Sequence, residues 1–457
     1  MNQIKKKIIY IVLSVGLAFF TLSHNTFPQE DSTYQYFELD NGLKVYLYKK
    51  TPLPLLHVVF SVNIGSKDES DETDGLIHLL EHYILFRGSE FRSGEKIGQD
   101  IRSHGAYFNA HTGLDIALFE ISLPSEYRAF ALQLHKEILF NLKISQEELD
   151  REKEVILEEL NQMEDDPLRL ATSLVYQNLF ADHAYKRSIY GKPEIIKEAT
   201  AEQLINFYSG YFYPANCALA VVGDMDLAET GNKIKEVFGP LHSQSPVQKE
   251  YKMAEPLQKS AEIDFYLDVN MAYLVIGMTG PDYNSPDRYA ADLITEILGR
   301  GFNPLMRTAL YGHRGILVNS LRMIYNAHKY GGSFLVQITM DPDNLKSIKR
   351  IAVDFLKDSR DLRLSKDDYF GDAKFYALDY LEGAKNSIKF TYHQSQEYGL
   401  NIATSLARFM LLNELPERGN YLENMEDISS SDLRKLAGDY LSRGKYVLVS
   451  IMPEEKK

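Results

Sequence analysis

Gly75-Leu76-Ile77-His78-Leu79-Leu80-Glu81-His82-Tyr83-Ile84-Leu85-Phe86-Arg87 is the stretch that says most about this chain. It follows the apolar strand pattern of residues 56–62, and its own pattern is helical. Because a helix turns about 100° per residue, His78, Glu81 and His82 would lie on one side. Two imidazoles and a carboxylate at this spacing can supply half of a catalytic zinc site, so a metal-dependent hydrolase is the first hypothesis.

Length and composition indicate a soluble globular protein with more than one domain. The chain has 457 residues, of which 44% are hydrophobic and 25% are charged, and this balance excludes a disordered or fibrous protein. The formal charge of -14 becomes -17 without Lys5, Lys6 and Lys7, the charged residues among the first 29. So acidic a protein repels polyanions, and nucleic acid is therefore not an expected partner.

Residues 1–29 have the composition of an export signal. Three lysines precede an apolar run from Ile8 to Leu22, and a polar stretch that begins at Ser23 follows the run. The run is short for a membrane span, so a cleaved signal peptide and a membrane anchor formed by residues 8–22 both stay open. Either reading predicts an extracytoplasmic protein, in the bacterial periplasm. Cys217 is the single cysteine, which excludes an intrachain disulfide.

Strand and helix patterns predict two similar α+β halves. In the first half we expect a mostly helical stretch at 125–212 and strands at 37–39, 44–48, 56–62, 106–110, 117–123 and 217–222. Residues 240–262, which are polar and contain proline, are the expected linker. The second half repeats the order, with a helix at 287–298 and strands at 263–265, 272–278, 315–323 and 332–340. The predicted domains are 30–239 and 263–457, each a mixed or antiparallel sheet packed with helices.

A catalytic zinc site needs a third protein ligand besides the two histidines. The acidic helix expected at residues 147–164 is the richest source of one. Glu152 and Glu159 are seven residues apart and share a face of this helix, whereas Glu158 points about 100° away from Glu159. Spacing alone does not choose among Glu152, Glu158 and Glu159.

The segments around the histidines resemble the inverted-motif zinc peptidases of the pitrilysin, insulinase and mitochondrial processing peptidase type. The likeness begins with residues 65–69 and 75–89. It continues, in the family's order, with Asn109-Ala110-His111-Thr112, residues 152–159, Tyr190-Gly191-Lys192-Pro193 and residues 213–224. Several separate matches in one order span nearly the whole chain after residue 29. The resemblance implies the metallohydrolase fold of the processing peptidases and LuxS, with two homologous domains.

The resemblance also implies the metal ligands and their support. His78, His82 and Glu159 match the family's zinc ligands, which hold one Zn2+ per chain. Glu152 matches an acid that accepts a hydrogen bond from a ligand histidine and fixes its tautomer.

Two further roles concern the substrate, which the resemblance implies is an extended, unfolded peptide. Glu81 matches the general base, which takes a proton from the attacking water and passes it to the leaving amine. Asn109 and Ala110 match the strand along which the family binds its substrate through main-chain hydrogen bonds. The implied activity is that of a zinc metalloendopeptidase.

The second half departs from the family at two positions. The family's second domain carries an Arg and a Tyr seven residues apart that reach the zinc site, and here Tyr311 and Val318 stand in their places. This departure favours a zinc-bearing subunit whose homologous partner supplies the Arg and Tyr, or otherwise a homodimer. Two alternatives stay open. One is a self-sufficient protease that uses Tyr311, His313 or Arg314 instead, and the other is a non-catalytic peptide-binding or assembly subunit.

Overall fold

Two β-sheets organise the chain. The computed structural model describes residues 33–50, 52–244, 249–301, 303–311, 318–362, 380–412 and 417–454. The strands of the first sheet are β1 (Tyr34–Glu38), β2 (Lys44–Lys49), β3 (Leu55–Val62), β4 (Tyr107–Thr112), β5 (Ala117–Pro124) and β6 (Cys217–Gly223). Those of the second are β7 (Ala261–Leu267), β8 (Ala272–Gly280), β9 (Val318–His328), β10 (Gly331–Met340) and β11 (Val447–Pro453).

The two sheets share one strand order. The first runs β1-β2-β6-β3-β5-β4, and the second runs β7-β11-β8-β10-β9. In each sheet one pair is parallel, namely β2 with β6 and β7 with β11. The antiparallel pairs of the first sheet are β6 with β3, β3 with β5 and β5 with β4. Those of the second sheet are β11 with β8, β8 with β10 and β10 with β9. The second sheet therefore repeats the first without β1, and the predicted α+β fold of two similar units is confirmed.

Helices connect these strands. They are α1 (Leu76–Phe86), α2 (Gly94–Ser103), α3 (Arg128–Phe140), α4 (Gln146–Glu164), α5 (Pro167–Leu179), α6 (Pro193–Glu198), α7 (Ala201–Tyr211), α8 (Leu227–Phe238), α9 (Arg288–Thr295), α10 (Leu305–Tyr311), α11 (Leu345–Lys357), α12 (Tyr380–Ser395), α13 (Gly399–Leu412), α14 (Glu417–Glu426) and α15 (Ser430–Leu436). In the described part of the chain, no helix has the length and apolar character needed to cross a membrane. The predicted export segment, residues 1–29, lies outside the described residues.

Each half covers the sheet of the other half with one helix. Helix α13, from the second half, packs Ile402, Leu406 and Met410 against the first sheet, and their spacing of four forms a single apolar stripe. Helix α5, from the first half, packs Val175 against Val275 and its neighbours in the second sheet. Because of this exchange, the described residues from Gln35 onward form one compact unit.

The predicted linker, residues 240–262, contains ordered structure. Strand β7 already begins at Ala261. The hydroxyl of Tyr251 donates a hydrogen bond of 2.6 Å to Oδ1 of Asp68. Hydrogen bonds of this kind attach the segment to the first half, and a search for apolar periodicity does not detect them. The domain boundaries themselves stay a prediction.

Helix α1, which carries the histidine string, begins where two glycines touch. Gly75 (φ 111°) and Gly191 (φ 79°) both have a left-handed backbone, and a Cβ on Gly191 would lie 2.1 Å from Cα of Gly75. The buried carboxylate of Glu69 accepts a hydrogen bond of 2.8 Å from the amide of Ile77 in the first turn. The start of α1 is thus fixed by main-chain contact and by an acid at its positive end.

Gly191→Ala should destabilise the protein, because the new Cβ overlaps the main chain of Gly75 and the backbone angle is unfavourable for alanine. We expect a loss of about 1–3 kcal/mol in the free energy of unfolding, measured by urea denaturation. Gly210→Ala is the matched control, since a Cβ there meets nothing within 4 Å and the residue lies in helix α7. That control should be neutral or stabilise by about 0.5–1 kcal/mol. Equal stability of both variants would contradict the contact.

Candidate metal centre

Three side chains with metal-binding atoms meet between helices α1 and α4. Nε2 of His82 lies 3.3 Å from Oε2 of Glu159, and Nε2 of His78 lies 3.7 Å from the same oxygen. The three donor atoms all lie within 4.8 Å of one another. The two imidazole rings meet edge to face, with centroids 4.7 Å apart. One helical turn therefore brings the histidines together, and α4 places a carboxylate opposite them.

The spacing of these atoms suits a zinc ion. Zinc binds imidazole nitrogen and carboxylate oxygen at about 2.0–2.2 Å with tetrahedral geometry, which separates neighbouring donor atoms by about 3.4 Å. The distances of 3.3 and 3.7 Å agree with that separation. Two imidazoles and one carboxylate are also the ligand set of a known type of catalytic zinc site. Within the described residues, no other trio of His, Cys, Asp or Glu side chains comes this close together.

The structure distinguishes the three candidate glutamates of α4. Glu159 faces the histidines, and Glu152, two turns earlier, contacts His82 from another side. Glu158 is exposed, and its Oε1 accepts a hydrogen bond of 3.4 Å from Gln162. The structure therefore brings together the ligand set implied by the resemblance and leaves Glu158 at the surface.

Glu152 supports His82 at the ring nitrogen that faces away from Glu159. The residue is 1% exposed, and its Oε1 lies 3.0 Å from Nδ1 of His82. Arg87 donates a hydrogen bond from Nε to the other carboxylate oxygen. Burial alone would raise the pKa of Glu152, but the hydrogen bonds from His82 and Arg87 outweigh it and lower the pKa. An ionised Glu152 keeps the proton of His82 on Nδ1 and leaves Nε2 available to a metal.

His78 has the surroundings of a neutral ligand. The residue is 5% exposed, and burial lowers its pKa to about 4. The ring of Tyr190 packs edge-on against the imidazole, with centroids 5.3 Å apart. Since Tyr190 precedes Gly191, the glycine contact at the start of α1 also positions the ring that covers His78. The neutral imidazole is the form that binds zinc.

Glu81 lies on the same face of α1 as the two histidines and is 9% exposed. Burial is the main influence on this carboxyl, and it raises the pKa although a hydrogen bond donated by the hydroxyl of Thr112 works against it. A carboxylate whose pKa is raised is better matched to proton transfer near neutral pH. Its position and protonation chemistry fit those of a general base.

The predicted substrate strand lies at the edge of the first sheet. β4 pairs with β5, and no other strand of the described residues borders it. Ala110 is buried, whereas Asn109 is partly exposed. Thr112, the last residue of β4, is the one that contacts Glu81. The open edge of β4 therefore ends beside the candidate metal centre.

Three residues that contact the centre were not identified from the sequence: Arg87, Thr112 and Tyr190. All three lie in segments that carry the family resemblance, but none has the chemistry of a metal ligand, and each reaches the centre only through tertiary contact. Arg87 offered a usable signal, because a lone arginine at the end of an apolar helix requires an acidic or polar partner.

The residues that replace the family's Arg and Tyr interact within the second half. The hydroxyl of Tyr311 donates a hydrogen bond of 3.3 Å to the carbonyl of Val318, and Tyr311 is 39% exposed. The other two candidate donors, His313 and Arg314, lie outside the described residues.

Both halves of the chain match peptidase family models. Residues 44–193 match the model described as "Insulinase (Peptidase family M16)". Residues 198–370 match the model described as "Peptidase M16 inactive domain". The two ranges together cover most of the chain.

Individual relatives agree with these matches. An uncharacterized zinc protease of Rickettsia felis is 25% identical over 65% of this chain and 69% of its own length. The zinc protease PqqE of Helicobacter pylori is 24% identical over 97% of each chain. The crystal structure of a protease from Helicobacter pylori has a TM-score of 0.82 at 20% identity, and the match covers 92% of this chain and all of the other. That structural likeness shows the shared fold.

Glu152→Gln should weaken zinc binding by about 10- to 100-fold, because a neutral amide holds the Nδ1 proton of His82 less firmly. Competition with a chelating zinc indicator measures this affinity. Glu154→Gln is the matched control, since Glu154 is exposed on the same helix and the charge change is identical. Unchanged zinc affinity in Glu152→Gln, or the same loss in the control, would contradict the supporting role of Glu152.

Proposed function

The chain belongs to the insulinase family of peptidases, M16, and on this premise we propose that it is a zinc-dependent endopeptidase that cleaves extended peptides. The observation that carries the proposal is the convergence of His78 and His82 on one oxygen of Glu159, at 3.7 and 3.3 Å. Glu81 beside them adds the proton-transfer group that a hydrolase needs. These four residues form the proposed catalytic zinc site.

The chemistry divides between the metal and the protein. When bound, zinc supplies a Lewis acid that activates water and polarises the scissile carbonyl. Glu81 accepts a proton from the attacking water on its carboxylate and gives that proton to the leaving amine. Glu152 holds His82 in one tautomer throughout, and Arg87 holds Glu152.

The open edge of β4 supports an extended peptide as the substrate. A peptide that lies along this edge as an added strand would use main-chain hydrogen bonds, which are indifferent to most side chains. Asn109 and Ala110 lie on this strand, which ends at Thr112 beside Glu81. An extended segment without other strand partners adds a strand in this way most readily, so extended, unfolded peptides are the proposed substrates.

We further propose that the chain is the zinc-bearing subunit of a heterodimer. Support comes from Tyr311 and Val318, which occupy the positions of the family's Arg and Tyr. The hydroxyl of Tyr311 donates a hydrogen bond to the main-chain carbonyl of Val318. A homologous partner would then supply both donors to the developing oxyanion. The second candidate, a non-catalytic peptide-binding or assembly subunit, is favoured by the same two residues but does not need the intact zinc ligand set.

The composition of residues 1–29 supports an extracytoplasmic location.

Glu81→Gln should lower the rate of peptide cleavage by about 10²- to 10⁴-fold, because the amide cannot accept the proton from water. Zinc content, measured by atomic emission on the same sample, should stay at one ion per chain. Glu158→Gln, an exposed neighbour of the ligand Glu159, serves as control and should cleave like the wild type. A Glu81→Gln protein as active as the wild type would refute the proposed mechanism.

Adding a homologous partner that carries the Arg and Tyr should raise cleavage of an unstructured peptide by about a hundredfold or more over the isolated chain, in which Tyr311 and Val318 stand in the places of those two donors. The comparison uses equal zinc loading and a partner variant without the Arg and Tyr as the control. Full activity of the isolated chain would exclude the need for a partner. An isolated chain and complex that both lack zinc and activity would support the non-catalytic alternative.

A further inference from the structure

A cavity of about 440 Å³ lies at the end of the first sheet where β2 and β6 begin. Its walls come from both halves: Lys44 opens β2, Asn216 precedes β6, and Lys329 and Tyr330 form the turn between β9 and β10. Tyr251, from the segment that follows the first half, forms a further part of the wall. None of the residues that line this cavity belongs to the candidate metal centre.

Positive charge is concentrated around this cavity. Four lysines line it, namely Lys44, Lys67, Lys249 and Lys329, against two acids, Asp68 and Glu250. The chain as a whole carries a formal charge of -14, so the local excess opposes the average of the molecule. We call this cavity, which Lys44, Lys67, Lys249 and Lys329 line, the lysine cavity.

Within the described residues, one of the four lysines forms an ion pair with a carboxylate. Nζ of Lys67 lies 2.7 Å from Oδ2 of Asp68. Nζ of Lys44 donates to a main-chain carbonyl at 3.3 Å, and Nζ of Lys249 donates to another at 3.1 Å and to a tyrosine hydroxyl. Among the residues that the structure describes, no carboxylate lies within 4.0 Å of Nζ of Lys44, Lys249 or Lys329. Three of the four ammonium groups therefore have no carboxylate of the described residues in direct contact, although the acids Asp68 and Glu250 also line the lysine cavity.

The neighbouring charges affect the pKa of Lys329. The residue is partly buried, and its ammonium lies 5.7 Å from the ring centroid of Tyr330. Burial lowers the pKa of Lys329, and the charges of Lys67 and Lys44 lower it further, whereas the charges of Asp115 and Asp68 offset part of this effect. A bound anion would offset the remaining repulsion and accept a hydrogen bond from the ammonium group of Lys329.

We propose that the lysine cavity binds a compact, multiply charged oxyanion of the phosphate class. Ammonium groups that converge from separate elements act as point charges for phosphate oxygens. The volume is within the range of small-ligand sites, so a phosphate group carried on a small molecule also fits. Because the lysines come from both halves, binding ties the turn at Lys329 to the start of β2 and stabilises the folded chain.

Titration of the purified chain with sodium phosphate tests this proposal, with sodium chloride at matched ionic strength as the reference. We expect a saturable rise in melting temperature with phosphate alone, and calorimetric titration gives the dissociation constant. Lys329→Gln and Lys44→Gln should each weaken phosphate binding about tenfold, the effect of one lost charged hydrogen bond. Two variants are used so that poor folding of one leaves the other to decide.

Lys96→Gln is the matched control, because Lys96 is 57% exposed, pairs with Asp100 and does not line the lysine cavity. It should bind phosphate like the wild type. Absence of a saturable shift, an equal shift with chloride, or unchanged affinity in both cavity variants would overturn the proposal. The readout is binding, so the result is independent of peptidase activity.

Discussion

The packing of α1 against α4 is the constraint on which the candidate site depends, because neither helix alone carries the three ligand atoms. The burial of apolar side chains holds the two helices together, and each fully buried side chain contributes about 1.5–3 kcal/mol. On α4 the buried apolar residues are Leu149, Ile156 and Leu160. The hydrogen bonds of Arg87 and His82 with Glu152 then fix the position of α4 along α1. A slip of α4 by one residue would turn Glu159 about 100° away from the histidines.

The second half gives structural support that does not require a zinc motif of its own. Helix α13 covers one face of the sheet whose edge is β4, and the hydroxyl of the buried Ser61 in β3 donates a hydrogen bond of 2.7 Å to the carbonyl of Ala407. Helix α5 of the first half packs in the same way against the second sheet. A half without a zinc motif can therefore be retained because it completes the core of the half that has one.

Local features were predictable from sequence, and contacts between distant segments were not. The histidine helix, the succession of most strands along the chain and the repeat of the two halves follow from periodicity within short windows. The order of the strands within each sheet was not predicted, and neither was strand β11. The choice between Glu158 and Glu159 came from a family resemblance, since one helix face cannot reveal what packs against it. The contacts of Thr112, Arg87 and Tyr190 depend on how separate elements meet. So does the lysine cavity, whose four cations are scattered from residue 44 to residue 329.

We infer that His78, His82 and Glu159 hold one zinc ion. Anomalous diffraction from crystals of the zinc-loaded protein, recorded on both sides of the zinc absorption edge, tests it most directly. We expect one strong anomalous peak per chain, within about 2.0–2.2 Å of Nε2 of both histidines and of a carboxylate oxygen of Glu159. A zinc peak at other residues, or crystals of zinc-loaded protein with no peak between α1 and α4, would contradict it.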